Sequence, residues 1–501
     1  MAIARPFPFH DTMPVSRRSL RVPRDGLILL GFVGLILAIN PRGFIGGGTD
    51  DWQYLEAARC WVAHGPCVPT QHWATRWPLI APLSIAIGLL GESRLIVGLV
   101  PLVYSLAAVA LIRHLALRLF GTAASLIAGI AFLATPMVGL SLLHPNIDIV
   151  ELTFLLAALA ASIAASDHRS RSAALFAGVM LALAVQSRET GFAYIIVAGA
   201  AFLCADRETR RILFWAVPGF VAPIAVEMAA FTAMFGDPLA RYAIALHHTA
   251  VPSTALAAGV DVSRGPLLNP AVIAGWRPVS GIDVHWTINP VINLLAHAMI
   301  GPTLMAAAVL IIARRRAVPR PHALAATRLL IAALGASAIL IYVLAIDPLP
   351  RMFLPLAAAA ALAIGALSPR SLAMRADAAV LVALAVLLVI ALATIARQPT
   401  MLRADTPAAR IVAAHTGAIA IDTTSRRALA LVSGVRALPG IDTPTRWRLA
   451  VAQHGCEGRQ TERIMEVYPL SGPWFAPTAR YRGPARSAPM FALCLFERGV
   501  A

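Results

Sequence analysis

RDGLILLGFVGLILAINPRGFIGGGTDDWQYLEAARCW, residues 24–61, holds in one stretch the pattern that decides the fold. An Arg-rich lead gives way to an apolar run over 27–39. Glycines that free the backbone follow, and then two adjacent carboxylates, Asp50 and Asp51, open an amphipathic helix carrying Trp52, Tyr54, Leu55, Ala58 and Trp61. The apolar run belongs in lipid, and the helix after it belongs at the water boundary with its aromatic rings at headgroup depth. LAINPRGF (37–44) offers no small-residue cleavage site, so the run reads as a retained anchor rather than a removed signal.

The same alternation continues outward from that stretch. Apolar runs near 27–39, 95–113, 122–142, 149–165, 173–187, 191–205, 212–235, 291–312, 325–346, 352–367 and 378–396 give about eleven expected spans. Only 13% of the 501 residues are charged and 58% are hydrophobic, far from the roughly 25% charge of a soluble domain. All 42 basic residues are Arg, giving a formal charge of +17. In a soluble chain that charge would point to nucleic acid; here its placement explains it, and no nucleic-acid partner is expected. If Pro78 to Leu90 is a re-entrant or interfacial helix, 18 Arg fall on one side, in 1–26, Arg113–Arg118, DHRSRS (167–172), DRETRR (206–211), ARRRAVPR (313–320) and SPRSLAMR (368–375). The opposite loops before residue 397 carry 9. By the positive-inside rule the N-terminus is then cytoplasmic and the C-terminus outside, which for a bacterial chain means the inner membrane and the periplasm. Counting 78–90 as a full crossing would put ARRRAVPR outside, and that parity is rejected.

The expected fold class is an all-α polytopic membrane protein with a small C-terminal α/β domain. Its parts are a cytoplasmic segment 1–26, a transmembrane domain 27–396 with outer loops 40–94 and 236–290, and a periplasmic domain 397–501. In that last domain Thr406-Pro407 opens a helix, AIAI (418–421) reads as strand, SRRALALVS (425–433) and PTRWRLAVAQHG (444–455) as helices, and MFALCLF (490–496) as strand. Cys60 with Cys67 and Cys456 with Cys494 fall on the oxidising side, as two candidate disulfides. No Walker motif, GxGxxG loop or CxxC pair occurs, which disfavours nucleotide-driven pumping and a Rossmann-type nucleotide-sugar site.

Ionisable groups beside a bilayer are costly unless solvated or paired, and here they collect on one side. After TDDWQY (49–54) come HWATRWPL (72–79) with His72 and Arg76, LLHPNIDIVEL (142–152) with His144, Asp148 and Glu151, QSRETG (186–191) with Arg188 and Glu189, and IDPLPRMFLPL (346–356) with Asp347 and Arg351. Each group alone reads as a helix cap or an anchor. Five such turns on one side predict a shared polar cavity under the outer surface. In the second loop, His247 and His248, and Asp283, His285 and Trp286 of GIDVHWTINP (281–290), are weaker candidates for substrate contact.

Taken in order, TDDWQY, HWATRWPL, HPNID, SRETG and DPLPRMFLPL resemble the GT-C superfamily of membrane glycosyltransferases, on the branch of the protein mannosyltransferases and lipid A aminoarabinose transferases. The likeness runs over about 27–370. Asp50-Asp51 stands where that family commonly has Asp-Glu, Arg76-Trp77-Pro78-Leu79 where it has Arg-Pro-Pro-Leu, and Arg188-Glu189 where it has Lys-Glu. The resemblance implies transfer of a sugar from a polyprenyl-phosphate donor to a hydroxyl acceptor on a lipid, glycan or protein, with inversion. It implies Asp50 as base with Asp51 as second choice or partner, and Arg351, Arg76 and Arg188 at the donor phosphate. Tyr54, His72, His144, Asp148, Glu189 and His285 are the expected substrate contacts. No cofactor is required; a divalent cation on Asp50, Asp51, Asp148 and His144 is an added candidate, although compact ligand spacing is missing. A multi-pass secondary transporter is the alternative, against which stand the outer-end clustering of charge and the lack of an internal repeat.

Overall fold

Long Ala-, Leu- and Val-rich runs with few charges can satisfy their backbone inside lipid only as helices, and helices dominate the fold. The computed structural model describes residues 24–41, 43, 50–67, 72–246, 273, 280–314, 319–346, 348–367, 378–452, 456, 458, 462–471, 481–482 and 492–498. His247, His248, Asp347, the glycines at 46–48 and much of the Arg-rich stretches 1–26, 313–320 and 368–375 lie outside the described residues. In chain order the helices are α1 (Arg24–Ile39), α2 (Asp50–His64), α3 (Trp77–Leu90), α4 (Arg94–Phe120), α5 (Thr122–Leu133), α6 (Pro136–Ser141), α7 (Ile147–His168) and α8 (Arg171–Ser187). There follow α9 (Gly191–Cys204), α10 (Arg207–Leu213), α11 (Ala216–Phe235), α12 (Ala240–Leu246), α13 (Asn289–Ala296), α14 (Gly301–Arg314), α15 (Arg320–Ala338), α16 (Leu354–Ala366) and α17 (Ala378–Ala396). Side-chain caps start several of them: Ser93 accepts from Ile96 N at 3.3 Å, Asn146 from Asp148 N at 2.9 Å and Ser170 from Ala173 N at 3.2 Å.

Among the described residues five helices are long and apolar enough to cross a bilayer: α4, α7, the run Arg207–Phe235, Arg320–Val343 and α17. The expected span 291–312 is a pair, α13 and α14, bent by 98°, which makes a sixth if it counts as one crossing. The other expected spans fall on the shorter helices α1, α5, α8, α9 and α16, and Pro78–Leu90 lies in the 14-residue α3. At 1.5 Å per residue, α3 reaches about 21 Å, short of the ~30 Å hydrocarbon layer. Leu89, Leu95, Ile312 and Val226 are largely exposed on the helix flanks, as apolar side chains facing lipid are. Inside, α8 and α11 touch at their backbones: a Cβ on Gly178 would lie 1.9 Å from Ala216 O, and one on Gly219 would lie 2.1 Å from Leu175 O. Such small-residue contacts replace the hydrophobic drive that lipid removes.

The tail forms α18 (Met401–Ala414), α19 (Thr423–Ala428) and a five-stranded sheet of order β1-β2-β5-β3-β4. Its strands are β1 (Ile419–Ile421), β2 (Trp447–Ala452), β3 (Glu462–Pro469), β4 (Tyr481–Arg482) and β5 (Ala492–Arg498). β1 and β2 are parallel and the other pairings antiparallel. Two expectations are corrected here. Residues 447–452 are a central strand, not a helix: β2 lies between β1 and β5, and its Arg448, buried and paired with Glu462, breaks the apolar run so that its periodicity resembles an amphipathic helix. The helix expected to open at Thr406-Pro407 starts at Met401 after Thr400 and carries Pro407 inside it, held by the buried face of Met401, Ala404, Ala408 and Ile411. Both disulfides close, with Cα atoms 6.0 Å apart for Cys60–Cys67 and 5.9 Å for Cys456–Cys494.

This tail is pinned to the helices beside α2. Arg94 donates to both oxygens of Asp405 at 2.7 and 3.0 Å, and Glu92 accepts from Arg59 of α2 at 3.1 Å and from Arg436 of the tail. Met401 N donates to Gly43 O at 3.0 Å.

Candidate active site

The charged residues picked out by the sequence stand where helices begin or end. Asp50 and Tyr54 occupy the first turns of α2, Arg76 immediately precedes α3, Asp148 lies in the first turn of α7, and Arg188 caps the end of α8. Arg351 sits in the 3-10 turn Pro350–Phe353 that leads into α16. A helix terminus leaves backbone groups that need polar company, and these termini share theirs.

Arg351 Nη2 lies 2.6 Å from Asp50 Oδ2, and its Nε lies 3.8 Å from Asp148 Oδ2. On the far side of Asp148, Arg188 Nη1 donates to Oδ1. Asp50, Arg351, Asp148 and Arg188 therefore alternate in sign along one chain of contacts drawn from four separate turns. Arg76 Nη1 donates to the Tyr54 hydroxyl and its guanidinium lies 5.8 Å from that ring centroid. Asp148, Arg76 and Arg188 are buried, whereas the Asp50 and Arg351 side chains keep 18% and 32% of their surface exposed. Among the described residues, the Asp50–Arg351 pair is thus the accessible part of the cluster.

Burial opposes charge on Asp50, but Arg351, then Arg76 and Arg188, and an indole hydrogen bond from Trp73 outweigh it, holding the carboxyl below its ordinary value of 3.8. Burial pushes the Tyr54 phenol up to about 12, so it stays protonated while it accepts from Arg76. Between Asp50 and Asp148, the positive charge that a cation could supply comes from the Arg351 guanidinium. No three His, Cys, Asp or Glu side chains among the described residues gather as a metal site.

The remaining candidates are dispersed. Asp51 and His144 line a separate pocket with Trp52, Arg94, Met401 and Arg427, at the seam between α2 and the tail. His72 is buried against Trp73, with ring centroids 3.8 Å apart. Glu189 lies 3.4 Å from Arg241 rather than on Arg351. His285 is exposed, and its contacts are with its loop neighbours Thr287 and Trp286. Sequence reasoning missed Trp73 as a partner of Asp50, Thr190 as a donor to Glu151 at 2.7 Å, and the buried pair Arg241–Glu227. A lone Glu inside the run 212–235 was the signal for the last of these.

Residues 78–235, just under a third of the chain, match the family model described as dolichyl-phosphate-mannose-protein mannosyltransferase. Over this segment the chain is similar to that family of glycosyltransferases. The matched segment contains Asp148, Arg188 and Glu189, while Asp50, Arg76 and Arg351 lie outside it. Among solved structures, the apo oligosaccharyltransferase of Archaeoglobus fulgidus is similar with a TM-score of 0.50 at 13% identity, over 93% of this chain and 75% of that one. The same archaeal protein in complex with Zn and sulfate gives 0.50 at 14% identity, over 91% and 73%. ArnT from Cupriavidus metallidurans bound to undecaprenyl phosphate gives 0.42 at 14% identity, over 85% and 92%. The archaeal likeness establishes the fold of the enzyme. No curated protein sequence matches the chain.

Proposed function

We propose that the enzyme moves a sugar from a polyprenyl-phosphate carrier to a hydroxyl acceptor, with inversion at the anomeric carbon, on the periplasmic face of a bacterial inner membrane. The observation that carries this reading is the Asp50–Arg351 pair, at 2.6 Å, on the accessible edge of a cluster that also holds Arg76 and Arg188. The family that matches 78–235 takes its description from a lipid-phosphate mannose donor, which supports a lipid-linked donor here. The bias of 18 Arg to 9 between the two sets of loops supports the periplasmic assignment.

A carboxylate locked to a guanidinium is a weak base. A donor phosphate entering the cluster competes for Arg351, because guanidinium binds phosphate oxygens bidentately, and that exchange loosens Arg351 from Asp50. Asp50 then takes the proton of the acceptor hydroxyl as its oxygen bonds to the anomeric carbon. The bond from that carbon to the phosphate oxygen breaks, and the negative charge left on the polyprenyl phosphate is stabilised by Arg351, Arg76 and Arg188. One displacement from the face opposite the leaving group inverts the centre. The reaction as written needs no cofactor, the cationic role falling to the three guanidiniums. We assign the pocket of Asp51, His144, Trp52 and Arg427 to the acceptor, which is a lipid or glycan hydroxyl. The transporter alternative receives no support from the family match or from charges that sit at helix ends.

Incubating purified enzyme with radiolabelled polyprenyl-phosphate sugars and membrane extract tests the proposal. Transfer to an extractable acceptor with inverted anomeric configuration is expected. Retention of configuration would rule out the single displacement, and absence of transfer from every polyprenyl-phosphate sugar would rule out the donor class.

A further inference from the structure

Behind the Asp50–Arg351 cluster lies a second set of buried charges that the transfer step does not use. Glu227 is a carboxylate inside the apolar helix α11, and Arg241, in the first turn of α12, is only 1% exposed. Arg241 Nη1 lies 2.6 Å from Glu227 Oε1, while its Nη2 donates to Val185 O at 3.1 Å and lies 3.4 Å from Glu189 Oε1. The same Glu227 Oε1 also accepts from Trp77 Nε1 at 3.0 Å. Charges in such a setting are costly and are retained where they do something. Among the described residues, every hydrogen-bond partner of this pair outside it is a chain neighbour of the site. Trp77 follows Arg76, Glu189 follows Arg188, and Val185 is in the last turn of the helix that Arg188 caps.

We propose that Arg241 and Glu227 are positioning residues for the donor phosphate, holding the backbone on which Arg76 and Arg188 are mounted; this rests on the assignment of those two arginines to the phosphate. Glu227 fixes the start of α3 through Trp77 and so sets where the Arg76 guanidinium lies. Arg241 clamps Glu189 and the end of α8 and so sets Arg188. Neither residue contacts the cluster's free edge, so loss of either moves the arginines without removing them. A misplacement of about 1 Å in a positioned group can cost about 100-fold in rate, and the same displacement weakens a bidentate contact to phosphate.

The test is undecaprenyl phosphate binding to the purified full-length protein in detergent, read by intrinsic tryptophan fluorescence and repeated by radiolabelled ligand, with thermal melting alongside. Trp77→Phe removes one N–H and keeps the ring. It is expected to weaken binding 3- to 10-fold at an unchanged melting temperature, and Glu227→Gln and Arg241→Met more than 10-fold. Glu462→Gln, which breaks a buried pair with Arg448 at 2.6 Å in the tail, serves as control and is expected to leave binding unchanged. Wild-type affinity in Trp77→Phe and in whichever of Glu227→Gln and Arg241→Met folds would overturn the positioning role, provided Arg76→Ala still loses binding. If Arg76→Ala binds as well as wild type, or wild type itself does not bind, the donor-site assignment fails and this proposal falls with it.

Discussion

Helix α7 carries an aspartate near each end, and the two live in different physical regimes. Asp148, in its first turn, is 2% exposed and stands between Arg188 and Arg351, with Asp50 of α2 across Arg351 and Arg76, just before α3, close by. Asp167, about 29 Å along the axis by the 1.5 Å rise per residue, meets Arg118 at 2.7 Å with both side chains around one-third exposed. The neighbouring pair Arg169–Glu208 is more exposed still, at 49% and 68%. A single exposed pair anchors a helix end and contributes little beyond that. A buried chain of alternating charge costs desolvation that no fold needs for stability alone, and it leaves arginines arranged around an accessible carboxylate. Charge is abundant at both ends of the bundle; burial and connectivity distinguish the end to which the chemistry is assigned.

The largest effect that sharpens this contrast is expected from Asp148→Asn. Removing one partner of a buried pair leaves Arg188 uncompensated, and a loss of about 3–5 kcal/mol is expected, measured by denaturant or thermal unfolding in detergent. A loss under 1 kcal/mol would place Asp148 in the same class as Asp167. Next in size, Arg351→Gln is expected to reduce sugar transfer about 100- to 1000-fold, the equivalent of roughly 2.7–4 kcal/mol of transition-state stabilisation, while Arg118→Gln leaves turnover unchanged. A smaller effect concerns pH. The folded value of Asp50 is depressed, so its contribution to stability is complete above 3.8 and disappears only as pH falls through the lower folded value. In the ligand-free protein, infrared or NMR titration is accordingly expected to find Asp50 ionised at pH 4; a protonated carboxyl there would contradict the pairing. The smallest effect is that of Asp167→Asn, with unfolding shifted by about 0–1 kcal/mol and transfer untouched.

How much of this is legible in the sequence depends on what each residue needs from its neighbours. Asp50 and Arg351 stand 301 positions apart, yet both could be assigned to one side because each interrupts an apolar run at an outer end, and hydropathy reports depth in a bilayer. The partners within that side could not be read, since they depend on which termini pack together. Asp148 pairs with Arg188 while Asp51, adjacent to Asp50, faces away toward the tail with His144. Glu227 was absorbed into the span 212–235 because one charge hardly alters the hydropathy of a long run. In the tail, the strand Trp447–Ala452 carries a buried Arg448 bonded to Glu462 at 2.9 Å, and this polar interruption of a central strand imitated an amphipathic helix. Helix lengths were the other limit, because α5, α8, α9 and α16 depend on their neighbours to sit at membrane depth.

The most direct test of the account compares Asp50→Asn with Asp51→Asn for sugar transfer from a polyprenyl-phosphate donor, with melting temperature recorded for both. Asn at position 50 is expected to lower the rate about 100- to 10,000-fold in a folded protein, as loss of a general base does, while Asn at position 51 acts mainly through the acceptor's KM. Unchanged turnover in folded Asp50→Asn would contradict the assignment of the base and the site built around it.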